Sequence, residues 1–170
     1  MAKNELIDFP NLRMALEEYG KAVVDYYKDN LTNGNNIASK ELINSVRYIA
    51  SFGERTFEIS LNLAEQWKWL EYGTKPHFPP FSDPDNGILK WVHIKPVIPR
   101  QDKNGKLPTE KQLAFLIARS ISEKGTKAYK VMEKTIETIN KEYLERIYDA
   151  IDRDLENSAL IIINNFIGSV

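Results

Sequence analysis

His77 and His93 are the chain's two imidazoles, and Asp83 and Asp85 stand between them. Imidazole and carboxylate are the donors of hydrolytic metal sites, so this set raises a small metal-dependent hydrolase or nuclease. The spacing works against it, because both aspartates fall in a proline-containing loop. Asp83-Pro-Asp-Asn-Gly87 resembles a calcium loop only in outline. Its glycine comes one position early, no glutamate stands at the twelfth position, and Pro84 is out of pattern. It reads as a turn leading into a helix. There is no Gly-x-Ser-x-Gly elbow and no glycine-rich phosphate loop. Asp152 and Asp154 sit in a charged helical pattern and read as part of a solvated face. Without cysteine, neither thiolate chemistry nor a disulfide is available. No catalytic residue, metal ligand or cofactor site is assigned.

The most specific pattern is the run Trp67-Lys-Trp-Leu-Glu-Tyr-Gly-Thr-Lys-Pro-His-Phe-Pro-Pro80, with an echo in Glu123-Lys-Gly-Thr-Lys-Ala128. Prolines fix φ and glycine supplies a turn, so such a run pins the backbone in one place. The echo is too short to count as an internal repeat. The aromatic set Trp67, Trp69, Tyr72, Phe78, Phe81 and Trp91 reads as a satellite core under a proline loop or as an interface. Trp and Tyr are enriched at binding hot spots, and a loop fixed by its own core can present a rigid surface. A second candidate is the cationic tract of Lys95, Arg100, Lys103 and Lys106, with Asp102 as its acidic partner. It reads as a solvated loop, with an arm toward DNA or another subunit as the sharper reading. It lacks the interleaved aromatic residues of single-strand binders. The candidate interface residues are therefore Trp67, Trp69, Tyr72, Pro76, His77, Phe78, Trp91, Lys95, Arg100, Lys103 and Lys106.

These residues need elements to position them. Phe9, Leu12, Leu16, Tyr19, Val23, Tyr26 and Tyr27 recur at three- and four-residue steps, which predicts an amphipathic helix over 9–31. Asp8 is its expected N-cap, Pro10 lies in the first turn, and Asn33-Gly-Asn-Asn36 ends it. Residues 39–43 form a short helix or turn. Val46, Tyr48, Ala50 and Phe52 then alternate with polar neighbours, as do Phe57, Ile59, Leu61 and Leu63. With a turn at Gly53-Glu54, this predicts an antiparallel hairpin with one buried face.

Residues 65–108 hold seven of the eight prolines and are punctuated by proline and glycine, with a proline-rich loop at 72–108 and a short helix over 86–93. Thr109-Glu-Lys-Gln112 is a capping box, opening a helix with the stripe Leu113, Leu116, Ile117 and Ile121 that ends at Gly125. A long helix follows from about Tyr129 to Leu155 or beyond. Its stripe is Met132, Ile136, Ile139, Tyr143, Ile147, Ile151 and Leu155. The tail 158–170 reads equally as helix or strand. The order predicts an α+β fold: a small antiparallel sheet packed against amphipathic helices, with a long C-terminal helix.

At 170 residues the chain is expected to form one domain, 1–170, large enough to bury a core. Its 23 basic and 24 acidic residues leave a net charge of −1, which argues against whole-surface binding to nucleic acid. The N-terminus lacks the apolar stretch of a signal peptide, and no apolar run approaches the ~20 residues of a membrane span. No membrane partner is expected.

Three blocks occur in order: Leu70-Glu-Tyr-Gly-Thr-Lys-Pro-His-Phe-Pro-Pro80, Ile88-Leu-Lys-Trp-Val92, and Leu113-Ala-Phe-Leu-Ile-Ala-Arg-Ser-Ile-Ser-Glu-Lys-Gly-Thr-Lys127. Together, over about residues 45–130, they resemble the tail-completion or neck (head–tail connector) proteins of tailed bacteriophages. In that family a Gly-Thr-x-Pro-His-x-Pro-Pro block follows a hairpin, a Trp-Val helix comes next, and a further helix ends in Gly-Thr-Lys. Members commonly close with a Pro-Phe-x-x-x-Ala segment, where this chain has Ala128-Tyr129-Lys130. The resemblance implies a virion structural protein, assembled in the host bacterial cytoplasm into a homo-oligomeric ring. Its expected partners are portal or adaptor and tail proteins, with genomic DNA passing through the lumen. It implies no catalytic residue. A peptide-binding adaptor module is the remaining alternative.

Overall fold

The computed structural model describes residues 9–34, 40–53, 56–85, 87–95, 97–101 and 103–167. The cap expected at Asp8 lies outside these residues. So do Asn35, Asn36, Ser39, Glu54, Asn86, Pro96, Asp102 and the last three residues of the tail. The element order is α1 (Pro10–Asn33), α2 (Glu41–Ser45), β1 (Arg47–Phe52), β2 (Phe57–Asn62), α3 (Gln66–Tyr72), α4 (Ile88–Ile94), α5 (Glu110–Lys124) and α6 (Val131–Ile167). The class is α+β, with a two-stranded antiparallel sheet and six helices among the described residues.

The chain forms two compact units and passes between them four times. Of the described residues, the first contains those within 9–30, 46–62 and 132–167, and the second those within 31–45 and 63–131.

In the first unit the hairpin forms, with the one buried face the alternation predicts. Tyr48 pairs with Leu61, Ala50 with Ile59 and Phe52 with Phe57. These cross-strand pairs place the apolar side chains on one face, half-buried, while Arg47, Ile49 and Ser51 face out. Gly53 N–H donates to the Thr56 carbonyl at 2.8 Å and closes the turn.

The apolar face lies on α1. Phe9 meets Phe57 edge to face at 5.5 Å, and the Arg13 guanidinium sits 5.5 Å from the Phe52 ring. Gly20 is a close approach rather than a turn: a Cβ there would fall 2.6 Å from Cδ2 of Tyr48. A glycine inside a helix costs ~1 kcal/mol relative to alanine, and here it lets the Tyr48 ring lie on the helix.

The buried hydrophobic residues of α1 within this unit are Leu12, Val23, Val24 and Tyr27. Tyr26, expected in that stripe, is 37% exposed, because it lies 100° from Tyr27, at the edge of the arc that Leu12, Val23, Val24 and Tyr27 bury. On α6, Ile139 and Ala150 are buried, and Tyr19 of α1 meets Tyr143 at 6.3 Å. The Tyr19 hydroxyl donates to Oδ1 of Asn140 at 2.8 Å, and burial holds that hydroxyl's pKa above its ordinary value of 10.0.

Asp154 corrects the solvated-face expectation. It is 1% exposed, and its carboxylate accepts from Asn11 N at 3.2 Å, Asn11 Nδ2 at 2.6 Å and Leu12 N at 2.8 Å. Those backbone N–H groups belong to the first turn of α1, where a helix has no internal acceptors. A carboxylate from α6 therefore caps α1 and complements its positive dipole end. Leu155, expected in the α6 stripe, is 48% exposed instead.

The second unit holds α2 to α5, with α4 packed against α5. The capping box forms as its sequence requires. Gln112 N donates to Thr109 Oγ1 at 3.3 Å, and Thr109 N donates to Gln112 Oε1 at 2.9 Å. Leu116 of the expected α5 stripe is 51% exposed. The fully buried positions are Ala114 and Ala118, where the absence of a long side chain allows close helix approach.

Candidate functional site

Trp67 and Trp69 lie on a helix, α3, that the sequence pattern had not assigned. Glu, Gln, Lys and Leu are good helix formers, and Gly73 is an ordinary stop signal, so the helix fits its residues. Among 66–72 the backbone is regular, and the proline-dense irregular stretch begins only after Gly73.

The two Gly-Thr-Lys segments explain one another. Gly73 ends α3 at φ 65°, ψ −168°, and Gly125 ends α5 at φ 71°, ψ −162°. Each glycine N–H closes its own helix, Gly73 onto the Trp69 carbonyl and Gly125 onto the Ile121 carbonyl. The next residues pair as an antiparallel bridge between Thr74 and Thr126. Thr74 N donates to the Thr126 carbonyl at 3.2 Å, and Thr126 N returns a bond to the Thr74 carbonyl at 3.1 Å. The two hydroxyls lie 3.1 Å apart.

A Cβ on Gly73 would stand 2.3 Å from the Thr126 carbonyl oxygen, and one on Gly125 would stand 1.9 Å from the Thr74 carbonyl oxygen. Each glycine is thus required twice, by a backbone region open essentially to glycine alone and by the other strand's carbonyl. The echo is a pair of matching halves that clasp the ends of two helices together. Tyr129 N extends the clasp by donating to the Leu70 carbonyl at 2.9 Å.

Beyond the clasp, the proline block turns back on itself. His77 Nδ1 is 2.9 Å from the Lys75 carbonyl, so His77 is a loop residue bonded to backbone. Pro79 is buried, while Pro76, His77 and Pro80 are exposed. The Pro80 carbonyl accepts from Ile88 N at 2.9 Å and so ties the block to the start of α4. Asp85 N donates to Asp83 Oδ1 at 2.8 Å, the side-chain-to-backbone turn expected there. His93, in the last turn of α4, sits 3.2 Å from a carboxylate oxygen of Glu110. No group of three His, Asp or Glu residues able to hold a metal ion occurs among the described residues.

The aromatic residues divide into groups. Trp67 and Tyr72 meet at 6.0 Å on α3. Phe78, Phe81 and Phe115 form a triangle with centroid separations of 5.6, 6.3 and 5.3 Å. Trp91 is half-buried, with Nζ of Lys95 5.7 Å from its ring centroid. Phe115 was missed because it lies off the apolar stripe of α5. The sequence signal was an aromatic residue on that helix with no place in its period. The Phe81–Phe115 edge, with Pro108, Thr109, Lys111, Gln112 and Leu116, borders an open groove of ≈ 470 Å³.

Among the large exposed side chains here are Trp69 (58%), Tyr72 (71%) and Phe78 (53%). Arg100, Lys103 and Lys106 are exposed in the stretch between α4 and α5, and Ile98 beside them is 94% exposed. The second unit thus carries exposed aromatic side chains on a segment that the clasp fixes to the end of α5. No protein-family model, curated protein or solved structure matches the chain.

Proposed function

We propose that this chain is a structural protein of a tailed-bacteriophage particle, forming a homo-oligomeric ring in the neck that joins the portal or adaptor ring to the tail. The observation that carries the reading is the clasp. Two of the three blocks that resemble the neck family are halves of one structure, joined through Thr74 and Thr126. That accounts for their joint occurrence some fifty residues apart. The middle block, α4, is tied to the first through the Pro80–Ile88 hydrogen bond.

Two further features support it. Ring subunits meet head to tail through two different surfaces, and such contacts favour rigid, aromatic-rich patches. Trp69, Tyr72 and Phe78 provide exposed aromatic rings on a segment fixed by helix, clasp and prolines. A chain of net charge −1 suits a lumen that lets DNA pass without gripping it.

The test is negative-stain electron microscopy of the purified full chain, with mass determination of the assembly and antibody detection in purified particles. Closed rings, and the chain's presence in virions, are the expected results. A strictly monomeric chain absent from particles overturns the proposal.

A further inference from the structure

The end of α6 is built unlike the rest of the helix. From Val131 to Asp154 the helix buries one face, through Val131, Thr135, Ile139, Ala150 and Asp154. From 159 to 167 every residue is exposed and none is charged. Leu160, Ile161, Ile162 and Ile163 are 52–61% exposed, and Ile167 is 66% exposed. Four consecutive residues at 100° intervals point around the whole circumference. A helix that is apolar all round is normally enclosed.

We infer that the last turns of α6 pack in parallel with the same turns of other copies of this chain, as a helical bundle inside the assembly. The area is the first reason. These five side chains, with Leu144, Tyr148 and Leu155 on a neighbouring stripe, leave on the order of 800 Å² exposed, the share each partner contributes to a standard interface. Monomers seldom expose apolar patches above a few hundred Å².

The distribution is the second reason. A two-stranded coil covers one seam of each helix. Apolar residues all round need neighbours on at least two sides, which parallel helices around a closed ring supply. Third, Asn164 and Asn165 are the polar residues between Ala159 and Ile167, and a carboxamide can both donate to and accept from its own counterpart. Parallel, in-register copies bring like to like, the arrangement by which buried asparagines set register.

A membrane is a poorer occupant. No helix among the described residues is long and apolar enough to cross one. A helix lying on a lipid surface uses a face rich in Lys and Arg. The last cation of α6 is Arg153, and the charged residues that follow it, Asp154 and Glu156, are acidic.

This inference deepens the ring reading by naming a surface through which copies meet. The experiment compares the full chain with a Leu160→Asp/Ile163→Asp variant. The readouts are multi-angle light scattering across a concentration series, circular dichroism, and flotation with phosphatidylcholine and phosphatidylglycerol vesicles. The expected result is an assembly larger than a dimer for the unmodified chain. In the variant, association weakens at least 100-fold while helix content and the melting temperature of the dilute, unassociated chain are kept, since both positions are exposed. A milder Leu160→Ala/Ile163→Ala variant weakens association by less. Rings that persist in the Asp variant overturn the inference and leave the ring reading standing. Small tail-dependent oligomers that never close into rings support the inference and count against the ring reading. A monomeric chain whose tail instead floats with vesicles overturns the inference.

Discussion

At the scale of single residues, Gly125 and Asp154 bear the most consequence. Gly105 offers a matched control for Gly125, since its φ is 75° yet nothing lies within 4 Å of where a Cβ would stand. Gly105→Ala is expected to cost about 1–2 kcal/mol, from backbone strain alone. Gly125→Ala adds a collision with a paired carbonyl that cannot move without opening the Thr74–Thr126 bridge. Its expected cost exceeds the control's by about 2 kcal/mol or more in urea denaturation. Equal costs would show that the clasp is not tight.

Asp154→Ala removes the cap of α1 and leaves the Leu12 N–H buried without an acceptor. The expected loss is about 2–4 kcal/mol. Asp154→Asn keeps one acceptor and should lose roughly half as much. Tyr19 gives a pH signature. Its pKa is raised by burial, so its contribution is fully present below pH 10.0 and is lost as pH climbs through the folded-state value. Urea midpoints at pH 9 and pH 11 should fall more for the unmodified chain than for Tyr19→Phe.

At the scale of elements, α5 separates what a pattern predicts from what packing selects. Ala118→Leu overfills a fully buried position and is expected to cost about 1–3 kcal/mol. Leu116→Ala, at a half-exposed site, should cost well under 1 kcal/mol, although the stripe puts Leu116 in the core. Thermal melts of the two variants check the order. The same contrast explains which parts of the fold were legible. Period-two alternation gave the hairpin and its buried face, because pleating leaves two faces and polar residues marked one of them. The capping box was legible because Thr109 and Gln112 bond within one turn. Asp154 was not, because its partners on α1 are 142 and 143 residues away and a carboxylate on a charged helix looks the same whether solvated or capping. The α3 helix was hidden by the prolines that follow it. Of the candidate site, the Gly-Thr-Lys echo was visible as a coincidence of spelling. Its meaning as a mutual clasp required the two helix ends to meet.

At the scale of the whole molecule, the decisive question is whether exposed aromatic residues stabilise the monomer or the assembly. Trp69 and Tyr72 lie on α3 with most of their surface open to solvent, so truncating them removes little buried area from the isolated chain. Trp69→Ala and Tyr72→Ala should therefore each change monomer stability by no more than about 0.5 kcal/mol, the range of ordinary surface substitutions. If α3 carries a contact between copies, the same substitutions remove hot-spot anchors and weaken each interface by about 2 kcal/mol, or roughly 30-fold. In a closed ring every subunit makes the contact on both sides, so the loss recurs at each interface and assembly should fail over a narrow concentration range. Sedimentation velocity across that range, paired with urea denaturation at low concentration, separates the two effects. Loss of monomer stability together with retained assembly would assign the aromatic residues to the core of the second unit. Retained stability with lost assembly would place them at the seam between copies.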